Sequence, residues 1–517
     1  MLAKIYSAQI NGLSPSIIDV EVDVGRGLHS FAIVGLPDKS VEESKERISA
    51  AIKNSGFKSP LKGNRKVIVS LAPADIKKEG PIFDLAIALG NLIASGDISF
   101  NPKGKIFLGE LSLDGTLRSV PGTLLVARHA KKNGFTEMYV PKDNAREAAL
   151  VDGIKIFGVE TLGDIIAHLD TKPEANKKPF TLEQEPKTKL VQSSSEEKDF
   201  DFKDIKGQET AKRGLEIAAC GGHNVLLIGP PGTGKTYLAK AFQGILPPLS
   251  IEEIIDITGI YSAAGALGKN EVVTKPPWKS PHHTSSYISL VGGGMYPKPG
   301  QITLAHRGVL FLDEFPEFDK RVIESLRQPL EDREIHISRA KEQVIFPADF
   351  ILIASMNMCP CGNTGIPKKE CVCAPGAMFK YQRKISRPIL DRIDIHIHVP
   401  HVPIEELSKK KEAESSESVW RRVMAGRELQ KKIFKKHGVV ARLNGQIPPK
   451  NIKNIVQMEK KVLSLLNESA ETLALSPRSY HKVLRVAQTI TNLSGSERIL
   501  EHHILEALQY RPSNIFG

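Results

Sequence analysis

NVLLIGPPGTGKTYLAKAFQGIL, residues 224–246, passes from an apolar run through a glycine-rich turn into a helical pattern. The turn, Gly229, Pro230, Pro231, Gly232, Thr233, Gly234, Lys235 and Thr236, fits G-x-x-x-x-G-K-[ST]. Strand, loop and helix follow in the order that lets backbone N–H groups curl around the β- and γ-phosphates of a nucleotide at a helix N-terminus. Lys235 adds a point charge to those phosphates, and the Thr236 hydroxyl is placed to ligate Mg²⁺. A chance glycine turn is the competing account, and the order of the flanking elements argues against it.

Three further stretches extend this reading. GVLFLDE, 308–314, is an apolar strand that delivers two carboxylates at its end. Asp313 is placed to hold Mg²⁺ through water, and Glu314 to polarise the attacking water. ILIASMN, 351–357, is another apolar strand, ending on Asn357, which either positions that water or simply closes a turn. LDRID, 390–394, sets Arg392 between apolar positions. Arg392 is an intrachain ion-pair partner or a finger offered to a neighbouring subunit's nucleotide. In SPRSYHKVLRVAQTI, 476–490, Ser476 reads as an N-cap and Pro477 as the first helical residue. Arg478 then lies in a first turn, where the helix dipole disfavours a cation. Contact with a γ-phosphate supplies a reason for its place there.

The chain of 517 residues is too long for one core. Residues 171–200 are polar, with Pro and Ser, and read as a linker. Ahead of it, Ser30–Val34, Lys66–Leu71 and Lys105–Leu113 read as strands and Val41–Asn54 and Phe83–Ser95 as helices, giving an α/β or α+β domain. Beyond about residue 400 the pattern is mostly helical, with basic helices such as Val419–Lys436. No apolar run is long enough to span a bilayer, which takes about 20 residues, and the start lacks a signal-peptide pattern. A cytoplasmic location and no membrane partner are therefore expected. The net charge is +12, of which residues 401–517 supply 20 Lys+Arg against 12 Asp+Glu. A basic module on a motor suits a nucleic-acid partner, or is a solvated surface.

Two inserted stretches carry charge. Within 250–304, Lys275, Trp278, Lys279, His282, His283 and Tyr287 form a basic, aromatic run flanked by glycines, suited to contact with DNA or to packing between subunits. EIHISRAKEQVIFP, 334–347, reads as a hairpin with Arg339 and Lys341 near its tip. Cys359, Cys361, Cys371 and Cys373 stand in a C-x-C-x₉-C-x-C pattern that suits tetrahedral, structural Zn²⁺, with a redox pair or unligated thiols as alternatives. The fifth cysteine, Cys220, reads as packing.

With FAIVGLPDKSVEESKERISAAIKNSGF, LAPADIKKEGPIFDL, FLGELSLDG, SPHHTSS, LAHRGVLFLDEFPEF, LRQPLED and PILDRID, the chain resembles the magnesium-chelatase-like AAA+ ATPases, specifically the ComM/YifB group, over essentially its whole length. The resemblance implies an α/β P-loop core with a helical lid at 201–400 and 401–517. It also implies an N-terminal α+β domain at 1–170, similar to the Lon-protease C-terminal domain of ribosomal-protein S5-like fold. It further implies ATP and Mg²⁺, a homo-oligomeric, hexameric ring, and action as a branch-migration helicase on single-stranded or branched DNA. Asn357 corresponds to sensor 1, Arg392 to the trans-acting finger and Arg478 to sensor 2. Where Lon-type domains carry a nucleophilic serine and its lysine, this chain has Ile82 and, near it in role, Leu124. Peptide hydrolysis then has no chemistry to run. A chelatase motor subunit and a protein-remodelling factor remain the alternatives to a DNA motor.

Overall fold

The computed structural model describes residues 2–28, 30–61, 64–172, 180–188, 200–294, 297–338, 343–403, 405 and 413–511. Its N-terminal part opens on a hairpin that the sequence reading did not find, Leu2–Asn11 against Ser14–Arg26. The signal was present: Asn11-Gly12 is a tight-turn dipeptide, and Gly12 has φ +59°. Strand Arg65–Ala72 pairs antiparallel with Ser14–Arg26, and Ser30–Val34 pairs parallel with Arg65–Ala72. Helix Lys39–Asn54, capped by Asp38, and the almost wholly buried helix Asp84–Ala94 accompany this sheet. A second sheet is all parallel, Lys105–Phe107, Glu137–Pro141 and Lys155–Val159. The single strand expected over Lys105–Leu113 is two, Lys105–Phe107 and Glu110–Leu111, and between them a side chain at Gly109 would press on Leu117. One apolar core runs from Ala3 to Leu169, and Ile82 and Leu124 lie inside it.

Of the expected linker, 180–188 lies along this domain. Leu182 donates its N–H to His168 Nδ1 at 3.1 Å and packs on the core, and Gln184 bridges to Phe157. Residues 173–179 and 189–199 fall outside the described residues.

After residue 200 comes a five-stranded parallel sheet. Its spatial order is Trp278–Lys279, Val309–Leu312, Ile351–Met356, Val225–Ile228, Ile395–His398. Both faces are covered, so the inner strands Val309–Leu312 and Val225–Ile228 are continuous apolar runs. Val225, Leu227, Phe311, Ile353 and Ile397 face one core, which they share with helices 209–221, 416–437 and 477–493. Leu226, Ile228, Leu310, Leu312 and Leu352 face another. The C-terminal helices thus pack beneath the sheet, tied by His223 Nε2 to Thr489 Oγ1 at 2.8 Å and by Lys482 Nζ, which donates to the Ile393 carbonyl at 2.9 Å. Among the described residues no helix is long and apolar enough to cross a membrane.

The stretch 250–304 begins as helix Ile251–Ala264, set by a Ser250–Glu253 capping box. This helix docks on the N-terminal helix Thr123–Lys132. The Gly122 N–H donates to Ser262 Oγ at 2.9 Å, and Arg128 pairs with Asp256 at 2.9 Å. On the other side, Gly12 lies against Val344 and Phe346 of the hairpin made by Glu334–Ser338 and Gln343–Pro347.

Candidate active site

The glycine loop leaves the sheet at the end of Val225–Ile228. Gly229 passes close under Val399, where any side chain would strike the Val399 carbonyl. Gly232 and Gly234, at φ +76° and +86°, hold the left-handed turn with open space above them, and helix Lys235–Ala241 follows. Lys235 Nζ donates to the carbonyls of Gly229 and Pro230, each at 2.7 Å, and to Asn357 Oδ1 at 3.1 Å. Burial pushes its pKa down to about 8, against the pull of the Asp313 and Glu314 charges.

Neighbouring strands end at the same edge and bring their polar residues to the loop. Thr236 Oγ1 donates to Asp313 Oδ2 at 2.8 Å, and Ser355 Oγ donates to Asp313 Oδ1. The Glu314 N–H reaches Ser355 Oγ at 3.3 Å. Glu314 itself sits at φ +52°, an uncommon conformation for a residue with a side chain. A hydroxyl and a carboxylate facing each other are hard oxygen donors of the kind Mg²⁺ takes, so Thr236 and Asp313 fit that ion. Ser355 was missed by sequence reasoning, and His283 was read only as part of the basic, aromatic run. Pairing of Leu312 with Ala354 places Ser355 beside Asp313. His283 Nδ1 comes to 3.9 Å from Glu314 Oε2.

Arg392 and Arg478 are elsewhere. Asn224, the residue before Val225–Ile228, donates to the Arg392 carbonyl at 3.0 Å. With Asn224, both arginines line a cavity of about 90 Å³, together with Arg333, Lys482 and Arg485. This is the opposite edge of the sheet from the loop, about 13 Å away for a four-residue strand. Arg478 therefore stands away from the loop of its own chain, because the C-terminal helices pack beneath the sheet and carry it to the side of Arg392. The two guanidinium groups share one carboxylate. Arg392 Nη2 pairs with Glu331 Oε2 and Arg478 Nη2 with Glu331 Oε1 at 3.5 Å. Burial would raise the Glu331 pKa, but Arg392 and then Arg478 hold it below the usual carboxylate range.

The basic run of the inserted stretch is largely spoken for. Trp278 and Lys279 form the edge strand of the sheet, with the Trp278 ring 5.5 Å from Phe311 and Lys279 Nζ 4.8 Å above the Tyr261 ring. His282 and Tyr287 stay exposed. Arg339 and Lys341 lie outside the described residues, although the hairpin strands that flank them are formed. The sulfurs of Cys359, Cys361, Cys371 and Cys373 all lie within 4.8 Å of one another, two residues beyond Asn357. Cys220 is buried, and its sulfur accepts from Gln430 Nε2 at 3.2 Å.

Comparison with known proteins agrees with this architecture. Residues 201–407 match the family described as magnesium chelatase, subunit ChlI; residues 20–144 match subunit ChlI of Mg-chelatase, and 413–511 its C-terminal part. The chain is 39% identical to the uncharacterized protein YifB of Escherichia coli, over 99% of this chain and 97% of that one. It is also 39% identical to the competence protein ComM of Haemophilus influenzae, again over 99% and 97%. A shorter similarity, 30% identity over 31% of this chain and 33% of the relative, links it to Lon protease 2 of Bacillus subtilis. A P-loop core with a C-terminal helical region, joined to an N-terminal domain, and full-length likeness to YifB and ComM lead to one assignment: the chain belongs to the ComM/YifB family of magnesium-chelatase-like AAA+ proteins.

Proposed function

We propose that this chain hydrolyses ATP in a closed homo-oligomeric ring, a hexamer as in the family resemblance, and drives single-stranded or branched DNA, as a branch-migration helicase does. The observation that carries the reading is the division of one set of catalytic groups between opposite edges of the sheet. In this reading Gly229–Thr236 hold the phosphates. Lys235 gives up the carbonyls of Gly229 and Pro230 to meet the β/γ oxygens. Asn357, already within 3.1 Å of Lys235, orients the water, and Glu314 accepts its proton. Mg²⁺, when bound by Thr236 and Asp313, supplies neutralisation of phosphate charge. Arg392 and Arg478 arrive from the adjacent subunit, already held side by side by Glu331.

DNA as the substrate is supported by the competence name of the Haemophilus relative and by the excess of Lys and Arg beyond residue 400. The chelatase description of the matching family models favours a second reading, a motor that remodels a protein partner. ATPase rate with and without forked or four-way-junction DNA at low salt separates the two. Stimulation and strand displacement, both lost in Lys235→Ala and Glu314→Gln, support the DNA motor; ATP turnover indifferent to every DNA form sinks it. The four-cysteine cluster is assigned a structural Zn²⁺ in this proposal.

A further inference from the structure

The chain that follows Asn357 folds into a tight knot on top of the phosphate loop. Cys359 is fully buried at its base, and its sulfur is 3.4 Å from that of Cys361, which is 3.7 Å from Cys371. Four sulfurs around one ion at Zn–S of about 2.3 Å stand about 3.8 Å apart. The spacing therefore suits a tetrahedral site, and no two of these cysteines are joined as a disulfide. Backbone donors already point at the sulfurs. The Cys361 N–H reaches Cys373 Sγ at 3.4 Å, and the Thr364 N–H reaches Cys359 Sγ at 3.4 Å. Such N–H groups around a thiolate set stabilise its charge and orient it. A site of four thiolates is closed, so the ion would organise the chain and not handle substrate.

The backbone between the cysteine pairs rests on the two prolines of the loop. A Cβ on Gly362 would stand 3.0 Å from Pro231 Cγ, and one on Gly365 3.1 Å from Pro230 Cγ. Both glycines have positive φ, +77° and +87°, so the turns that bring the knot onto the prolines suit glycine at these positions. The knot is thus attached to the nucleotide loop twice, by contact at Pro230–Pro231 and through Asn357, whose amide oxygen meets Lys235. We propose that Cys359, Cys361, Cys371 and Cys373 bind one Zn²⁺ that braces the 229–236 loop, so that nucleotide binding depends on zinc occupancy. The proposal rests on the reading of that loop as the ATP site. Zn²⁺ entry displaces the thiol protons and involves no oxidation, and its loss leaves the knot without its centre and the prolines without backing.

The test uses the full chain, purified without chelator. Elemental analysis is expected to find about one zinc per chain, lost in a Cys371→Ser/Cys373→Ser variant or after treatment with a thiol-blocking mercurial and chelator. Amide exchange at 229–236 then rises, a fluorescent ATP analogue binds about tenfold more weakly or worse, and in the wild type added zinc restores both after the thiols are freed. Gly362→Ala keeps the cysteines and presses on Pro231, so it is expected to keep its zinc and weaken nucleotide binding; this arm stands if the cysteine variant fails to fold. Purified wild type with almost no zinc overturns the proposal. So does zinc-free, folded protein with unchanged exchange and affinity, or a zinc-loaded Gly362→Ala that binds as the wild type does. If zinc-loaded wild type binds no nucleotide, the ATP-site reading fails, and amide exchange at 229–236 with and without zinc still decides whether the brace exists.

Discussion

The two edges of the five-stranded sheet hold the proposed catalytic groups in different ways. At the C-terminal edge the groups satisfy one another: Lys235 with Asn357, Thr236 with Asp313, Ser355 with both acidic residues. At the N-terminal edge five cationic side chains and three carboxylates line one cavity, and the Nε groups of Arg392 and Arg485 are buried without a hydrogen-bond partner. A buried donor left unpaired is costly, and an excess of cations around a cavity favours an incoming polyanion. The groups of the first edge are paired within one chain, while the second carries the unpaired donors and excess cations that the proposed shared site would use.

Mixing experiments can break that contrast. Arg392→Ala is expected to lower kcat by about 10³-fold, and Lys235→Ala by about 10²-fold or more. Because the two defects lie on different edges, equimolar mixtures of these inactive variants should regain part of the ATPase rate, since some interfaces then pair two intact edges. No recovery in mixtures shown to co-assemble would return both residues to one chain's site. Removing the shared carboxylate is a finer probe. Glu331→Gln is expected to cost about tenfold in kcat while nucleotide affinity holds, since Glu331 touches only the arginine edge; a weakened affinity with unchanged kcat would put it at the wrong edge.

The loop edge has its own signature in pH. The pKa of Lys235 is lowered in the free protein, and phosphate oxygens favour its charged form. Affinity for ATP is then complete below pH 8 and falls as pH rises through the free-state value of about 8, by at most about tenfold per pH unit. Titration calorimetry across that range should see this slope in the wild type and lose it in Lys235→Arg. The smallest effect serves as a control. Arg421 and Glu417 form an exposed i,i+4 pair on the helix Ser416–His437, away from both edges, so Arg421→Ala should shift stability by no more than about 0.5 kcal/mol.

The loop edge was legible because its residues are consecutive or end apolar strands. Gly229–Thr236, Asp313, Glu314 and Asn357 each follow a run that can only be a buried strand, and parallel strands deliver their ends to one place. Ser355 and His283 were not legible, since strand register and the path of an inserted stretch decide their contacts. Arg478 was read correctly as the first turn of a helix with Ser476 as N-cap and Pro477 at its start. Its destination was not legible, because no local pattern says on which side of a sheet a distant helix will pack. Trp278 and Lys279 looked like a free basic loop because a two-residue edge strand has too little length for periodicity to show.

The tie of Arg392 and Arg478 to one carboxylate has a consequence in counting. If each chain offers a loop on one side and an arginine pair on the other, a closed circle of n copies completes n reaction centres. An open row of the same copies completes n − 1, with a loop idle at one end and an arginine pair idle at the other. Turnover per chain in that case measures how often the circle is shut.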